Sequence, residues 1–322
     1  MSFYLFKLRF TAAVHFGSSE GALNLYSSEE TFRADTLFSA LCHTALALGG
    51  EAALQELVDM ARAGSLRFSD AMPYCGETLY LPKPCVNGES RAELPPEKRK
   101  AMKKLRWLPL EDFPAFSDSL RGGIPFEVRG TPKFGIHSER TGANVQEGKD
   151  TLPYQMGSYH FYPECGLWFL CDCPEAYFSR LSALVEALGL SGIGGKTSSG
   201  FGSFALYDDA VELDYPFDAQ TDWLHAALYA DGPAFLLLTT ALPKDEELEN
   251  ALDGASFQLI RRGGFVRSES HSERPMKKVT QYYLSAGAVL AQPFEGDIFE
   301  VGGSGTHPVY RYDKPIFLGV AL

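Results

Sequence analysis

The residues best suited to chemistry sit mid-chain, in Gly192-Ile193-Gly194-Gly195-Lys196-Thr197-Ser198-Ser199-Gly200-Phe201-Gly202. Five glycines in eleven residues free the backbone for positive φ and remove side chains that would block a close approach. Bare backbone N–H groups in such a bend can face phosphate oxygens. Lys196 adds a point charge, and Ser198 and Ser199 add hydroxyl donors. Phe201 can either stack on a base or anchor the loop in the core. The chemistry implied is the holding of an anion. The plain alternative is a glycine-rich turn with no ligand. A nucleotide-hydrolysing loop, GxxxxGK[ST], would share Gly195-Lys196-Thr197, but its first glycine would fall where Leu190 stands. Such a loop also leaves a strand and opens a helix. This one leaves a helix and enters a strand, so NTP hydrolysis is disfavoured.

Other catalytic constellations are poorly supported. The histidines are His15, His43, His137, His160, His225, His271 and His307, and none falls in HxxxH or beside a metal-ligand carboxylate cluster. Asp208-Asp209 belongs to an acidic linker, with no paired carboxylates that suggest a metal site. Cys42, Cys75, Cys85, Cys165, Cys171 and Cys173 form no CxxC, and Cys171-x-Cys173 has no second pair. They read as reduced thiols used as small apolar side chains. No metal or cofactor is expected.

The elements that position the loop come next. A chain of 322 residues, at ~150 per domain, suggests about two domains. Composition is globular, 45% hydrophobic and 22% charged. No apolar run in the sequence approaches the ~18 residues of a membrane span, and MSFYLFKLRF lacks the parts of a signal peptide. A soluble, cytoplasmic chain with no membrane partner is expected. Net charge is 29 − 41 = −12, which taken whole argues against nucleic acid. The distribution changes that. Residues 91–106 hold seven basic and two acidic side chains, 261–278 six and two, and 121–149 five and three. Those windows sum to +11 and leave −23 elsewhere, so one face can be basic while the rest is acidic.

Residues 3–14 alternate as a half-buried strand. Asp35 is a plausible N-cap for a helix to about Leu48, ended by Gly49-Gly50, with a second helix over 51–63. Short strands follow at Leu66–Ser69 and Leu79–Leu81. From Pro82 to about Pro163 prolines and basic residues break the pattern, which reads as an insertion, helical at 97–105 and an extended arm at 121–160. Leu167–Cys171 is a strand. Pro174 opens a helix that Gly189 stops, and Ser203–Tyr207 is the strand after the loop. An acidic linker near 208–222 and a helix at 222–230 lead to a second unit. Its parts are strand 234–241, acidic helix 244–252, strand 256–262, a strand near 279–291, strand 297–301 and a strand from Val309. Strand–helix–strand occurs twice, which predicts an α+β fold of two ferredoxin-like or RRM-like domains. The boundaries expected are 1–212, carrying an insertion at about 82–163, and 213–322.

Several segments in order then carry a resemblance. They are Val14-His15-Phe16-Gly17, Arg33-Ala34-Asp35-Thr36-Leu37-Phe38-Ser39-Ala40-Leu41-Cys42, Leu81-Pro82-Lys83-Pro84, the loop from Ser191 to Phe204, Arg262-Gly263-Gly264, and His307-Pro308-Val309-Tyr310-Arg311-Tyr312. Together they resemble the RAMP superfamily of CRISPR-associated proteins. Within it they are most similar to the family of subunit four of the Csm complex, the type III-A CRISPR effector. The resemblance implies a non-catalytic ribonucleoprotein subunit in antiviral defence. It would hold the 5′ repeat-derived handle of the CRISPR RNA and contact the large polymerase/cyclase subunit and a backbone RAMP subunit. The insertion would be the family's thumb.

On that resemblance, Lys196 and the loop backbone (Gly192, Gly194, Gly195, Ser198, Ser199, Gly200, Phe201) are expected on RNA, with His15, Gly17 and Arg33 nearby. Lys133, His137 and Arg140 would reach RNA from the arm, and Arg261 and Arg262 from the second half. Grip on single-stranded RNA needs positive charge along the backbone and ring stacking, for which Phe134, Tyr154, Tyr159 and Phe161 are candidates. The enzymatic alternative is a metal-independent RAMP endoribonuclease that processes precursor CRISPR RNA. Its His15 would act as general acid or base. Those enzymes carry the glycine loop near the C-terminus, whereas about 120 residues follow it here.

Overall fold

The computed structural model describes residues 1–17, 25–86, 96–144, 152–266, 268 and 270–322. Part of the polar stretch after the first strand (18–24), Arg91 and Pro95, Lys149 and Arg267 fall outside them. The chain builds a mixed α/β fold of antiparallel sheets.

In the first half, β1 (Ser2–Phe10) is followed by α1 (Ala34–Arg62), β2 (Arg67–Phe68), β3 (Met72–Cys75) and β4 (Thr78–Pro82). Then come α2 (Pro96–Lys104), β5 (Trp107–Pro109), α3 (Phe113–Leu120), β6 (Gly135–Asn144) and β7 (Leu152–Phe161). The half ends with β8 (Cys165–Cys173), α4 (Glu175–Ser191), β9 (Phe204–Leu206) and β10 (Val211–Glu212). The main sheet runs β10-β1-β8-β3-β4-β5, with β9 also on β1 and β2 on β8. Every residue of β8 is buried. Leu167, Phe169, Cys171 and Cys173 face the helices α1 and α4, while Cys165, Trp168 and Leu170 join a second core on the reverse face. A strand covered on both faces reads as one continuous apolar run, which makes it legible in sequence.

The second half contains α5 (Ala219–Leu228), β11 (Ala234–Leu237), α6 (Leu248–Leu252), β12 (Leu259–Arg262), β13 (Gln281–Leu284), β14 (Val289–Leu290), β15 (Ile298–Glu300), β16 (Tyr310–Tyr312) and β17 (Phe317–Val320). It forms three small sheets, β14-β11-β17, β12-β13 and β15-β16. Leu236, Ile316, Leu318 and Val320 pack with Leu5, Trp168 and Leu170, so the second half closes the reverse face of the main sheet.

Several expectations shift. Asp35 is not the helix cap. Arg33 holds that position, and the first helical amide, Ala34 N–H, donates to Asp70 Oδ1 at 2.9 Å. Gly50, at φ +68, divides α1 into the two helices expected. By length and composition alone α1 could cross a membrane. However, Leu37, Phe38, Leu41, Leu57 and Val58 are buried in the protein core. The break at Pro82 is not a departure from the body, because Trp107–Pro109 returns to pair with β4. The arm is an antiparallel hairpin, β6–β7, in register from Gly135 opposite Phe161 to Asn144 opposite Leu152. Helix α3 lies where the sequence pattern suggests none; Pro114 reads as punctuation, yet proline suits a first helical turn.

Candidate nucleic-acid interface

The glycine loop is a rigid corner sewn to the end of the first strand. Helix α4 ends where Gly192 N–H donates to Leu188 O at 2.7 Å. The backbone turns through Gly192, Gly194, Lys196, Gly200 and Gly202, all at positive φ. Lys196, at φ +62, is the one non-glycine residue with positive φ among the described residues. Gly195 N–H donates to His15 O (2.9 Å), Gly202 N–H to Ala13 O (2.8 Å) and Ile193 N–H to Gly202 O (3.0 Å). A Cβ at Gly202 would lie 2.0 Å from Ile193 O, whereas one at Gly200 would meet open space. Gly202→Ala should therefore lower the melting temperature well beyond Gly200→Ala. The latter carries only the left-handed penalty of ~1–2 kcal/mol, and equal shifts in a thermal melt would contradict this packing.

This geometry corrects the expected cradle. The amides of Gly192, Ile193, Gly195, Ser199, Gly200, Phe201 and Gly202 donate within the fold. The glycines allow close packing against His15 rather than bare donors. A Cβ at Gly195 would lie 2.7 Å from His15 Cδ2, and one at Gly194 would lie 2.8 Å from His15 O. Phe201 is buried, so of its two expected roles it serves as the anchor. What the loop offers outward is Lys196, Ser198 and Ser199. The Lys196 ammonium lies 5.0 Å from the Tyr154 ring centroid on β7, which fixes loop against arm.

Beside Lys196 opens a cleft of about 400 Å³, built by both halves of the chain. Gly194, Gly195 and Lys196 form one wall, Phe16, Gly17 and the start of α1 another, and Arg262 and Lys278 come from the second half. Arg33, Lys196, Arg262 and Lys278 thus converge around one carboxylate, Asp35. Asp35 Oδ2 accepts from Arg262 Nη2 and forms an ion pair with Arg311 Nη1, both at 3.3 Å. Asp35 Oδ1 accepts from Tyr312 N–H at 3.2 Å. Burial opposes the charge of Asp35, yet Arg311, Arg262 and Lys278 hold its carboxyl below the usual range. Burial, and then the neighbouring Arg262, pulls Arg33 down to about 10. Burial also lowers Lys278, against the pull of Asp35.

The cleft shares Thr31 and Arg33 with a second cavity of about 640 Å³. Lys83, Lys103, Lys104 and Arg106 line it, with Glu29 and Asp70. Lys83 Nζ donates to Met102 O at 2.9 Å, and Arg106 sits 3.6 Å from Glu29 Oε2. Adjoining at Thr31 and Arg33, the two basic spaces make up a cationic trough. Sequence reasoning does not single out Lys278 or the Lys83–Arg106 group. Lys278, Lys103, Lys104 and Arg106 have only local basic windows as a signal, Lys83 only its place in Leu81-Pro82-Lys83-Pro84, and the joining of the halves is a tertiary fact.

The other expected residues are scattered. His15 is buried, and its Nδ1–H donates to Gly157 O at 2.7 Å. Gly17 is exposed at the rim of the cleft. Lys133, His137 and Arg140 are exposed on or just before β6 and do not line the cleft. His137 Nε2 is 3.7 Å from Glu30 Oε1. Arg261 faces outward opposite Tyr282, while Arg262 faces the cleft. Phe134 and Tyr159 are buried, and Phe161 stacks on Phe10 at 4.9 Å, so these three rings pack the arm to the body. Among the described residues, Cys75, Glu164 and Cys165 could bring three metal donors together. Burial and Cys75 push the Cys165 thiol up, away from the thiolate that a metal would need.

The chain is similar to known proteins over nearly its whole length. A model of the RAMP superfamily matches residues 7–205, and one of the CRISPR Csm4 C-terminal domain matches residues 230–320. The chain is 36% identical over 323 residues to the CRISPR system Cms protein Csm4 of Mycobacterium tuberculosis (strain ATCC 25618 / H37Rv), covering 99% of this chain and 98% of the relative. It is 30% identical over 325 residues to the protein of that name from Streptococcus thermophilus, covering 98% of each. A chain solved as a Csm1-Csm4 cassette in complex with cA4 shares the fold at TM-score 0.62 and 22% identity, with 100% of this chain and 99% of that one covered. A chain from the Csm3-Csm4 subcomplex of the type III-A CRISPR-Cas interference complex does so at TM-score 0.63 and 16% identity, with 99% of each covered.

Proposed function

The chain belongs to the Csm4 family of the RAMP superfamily, and we propose that it holds the 5′ handle of the CRISPR RNA as a non-catalytic subunit of a type III-A effector. In that role it bridges the large polymerase/cyclase subunit to the backbone subunits. The chain reads as two ferredoxin-like halves, 1–212 and 213–322, with the insertion at about 82–163, which carries the β6–β7 hairpin, as the thumb.

One observation carries the reading. Arg33, Lys196, Arg262 and Lys278, which lie far apart in sequence, converge on one cleft that shares Thr31 and Arg33 with a second basic cavity. In an acidic chain, such a concentration of cations offset by few carboxylates suits a phosphate polymer. A trough with rings nearby grips single strands without demanding a particular sequence. The relatives solved with Csm1 and Csm3 supply the class of partner.

The geometry of His15 favours binding over cleavage. Its imidazole is buried, committed to Gly157 O and packed on Gly195. A general acid or base must reach the 2′-hydroxyl or the leaving oxygen. In EDTA, the full-length protein should shift 5′-labelled repeat RNA and release no fragment. RNA that copurifies with it should share one 5′ sequence. A defined product that disappears in His15→Ala would overturn the non-catalytic reading, and failure to retain RNA would overturn the handle reading.

A further inference from the structure

Two of the six cysteines meet at the corner from which the arm leaves the main sheet. Cys75 ends β3, Cys165 opens β8, and the two stand opposite each other in the antiparallel ladder. On the next rung Gly76 N–H donates to Glu164 O at 2.8 Å, so that rung is hydrogen-bonded. Rungs alternate, which makes Cys75 and Cys165 a non-hydrogen-bonded pair. That is the closer kind, with Cα atoms ~4.5 Å apart and both side chains on one face. Such a spacing lies within the reach of a disulfide. The two sulfurs are in contact at 2.7 Å as free thiols. The chain around them is held. Gly76, at φ +58, turns β3 back into β4, while Cys165 N–H donates to Tyr162 O and Tyr162 N–H to Phe134 O, both at 2.9 Å, at the root of the arm.

We propose that Cys75 and Cys165 form an oxidant-sensitive pair, which a hydroperoxide converts to a disulfide and a thiol reductant restores. Cys75 is partly exposed, whereas Cys165 is 1% exposed. Burial, then Cys75 and the nearby Glu164 carboxylate, keep the Cys165 thiol protonated. Cys75 therefore reacts first, since the thiolate is the nucleophile. Its thiol gives its proton to water, the sulfur attacks one peroxide oxygen, the O–O bond breaks and hydroxide leaves. The product is a sulfenic acid. The Cys165 sulfur then attacks Cys75 Sγ, the S–O bond breaks, and the hydroxyl departs as water with the Cys165 proton. The two sulfurs together supply the two electrons that reduce one peroxide. A resolving thiol already in contact consumes the sulfenic acid before further oxidation. Cys171 and Cys173 are fully buried and stay reduced. Where the surroundings are reducing, a disulfide of this kind is transient and reports oxidation.

The test treats the folded full-length chain, freed of reductant, with hydrogen peroxide, then blocks the remaining thiols and maps the peptides. Free thiols should fall from six to four. The missing two should be recovered as one linked peptide pair joining Cys75 to Cys165, and dithiothreitol should return all six. In Cys165→Ser the first step has no resolving partner, so dimedone should label Cys75. Cys75→Ser should lose thiols at least tenfold more slowly than the wild type. Six free thiols after treatment overturn the proposal, as does a bond that joins any other pair or dimedone labelling that misses Cys75. The peptide map needs only the wild-type chain, so it decides the matter even where a variant melts early. Neither RNA nor a partner subunit is present, and the result leaves the reading of the trough untouched.

Discussion

Asp35→Ala should cost the fold about 3–5 kcal/mol, the range for stripping one partner from a buried ion pair. Asp35 lies in the first turn of α1, in the first half of the chain, and its carboxylate is held by Arg262, Arg311 and the Tyr312 amide of the second. Arg311 is only 2% exposed, so removal of its partner leaves a guanidinium charge that water cannot reach. Asp35→Asn keeps an acceptor for Tyr312 N–H but not the charge, and should fall between the two. Urea unfolding at pH 7 measures both, and a loss under about 1 kcal/mol would mean that the clasp does not join the halves. The pH dependence has a defined sign. The folded carboxyl titrates below its unfolded value of about 3.9, so its contribution is full above that value. It disappears as pH falls through the folded value. The gap between wild type and Asp35→Ala should therefore close in acid, while neutral and mildly alkaline solutions leave it open.

The same residue shows where sequence stops being sufficient. An aspartate ahead of an apolar helical stripe reads as a cap, because capping is local. Its actual partners are 227 and 276 residues away, numbers that only the closed fold supplies. The glycine loop departs from expectation in the same manner. Its positive φ values are legible from composition, but the destination of its amides is not, since Ala13 and His15 sit at the other end of the half. Elements with strong periodicity are plain in the sequence. β8 and α4 announce themselves by apolar runs, and the hairpin arm shows as an extended segment. Arg261 and Arg262 mark the boundary between the two cases. Alternation along a strand requires adjacent residues to face opposite ways, yet a basic window counted as a unit assigns both to RNA.

That alternation sharpens the test of the trough. Lys196→Ala with Lys278→Ala removes one cation from each half and leaves the Asp35–Arg262–Arg311 clasp in place. Affinity for a single-stranded RNA bearing the handle should fall about ten- to a hundredfold near 0.1 M salt. The slope of log affinity against log salt should shrink by about 1.4, or ~0.7 for each phosphate of a single strand that is no longer neutralised. Parallel lines with unchanged slope would mean that neither lysine touches phosphate. Arg261→Ala provides the contrast within one strand, since its side chain stands on the outer face opposite Tyr282. If RNA runs through the cleft, this variant should stay within twofold of wild type at every salt concentration. A decrease as large as that of the lysine pair would place the RNA over the back of the β12–β13 hairpin, with Tyr282 as its stacking platform, and the cleft would then have to be abandoned as its path.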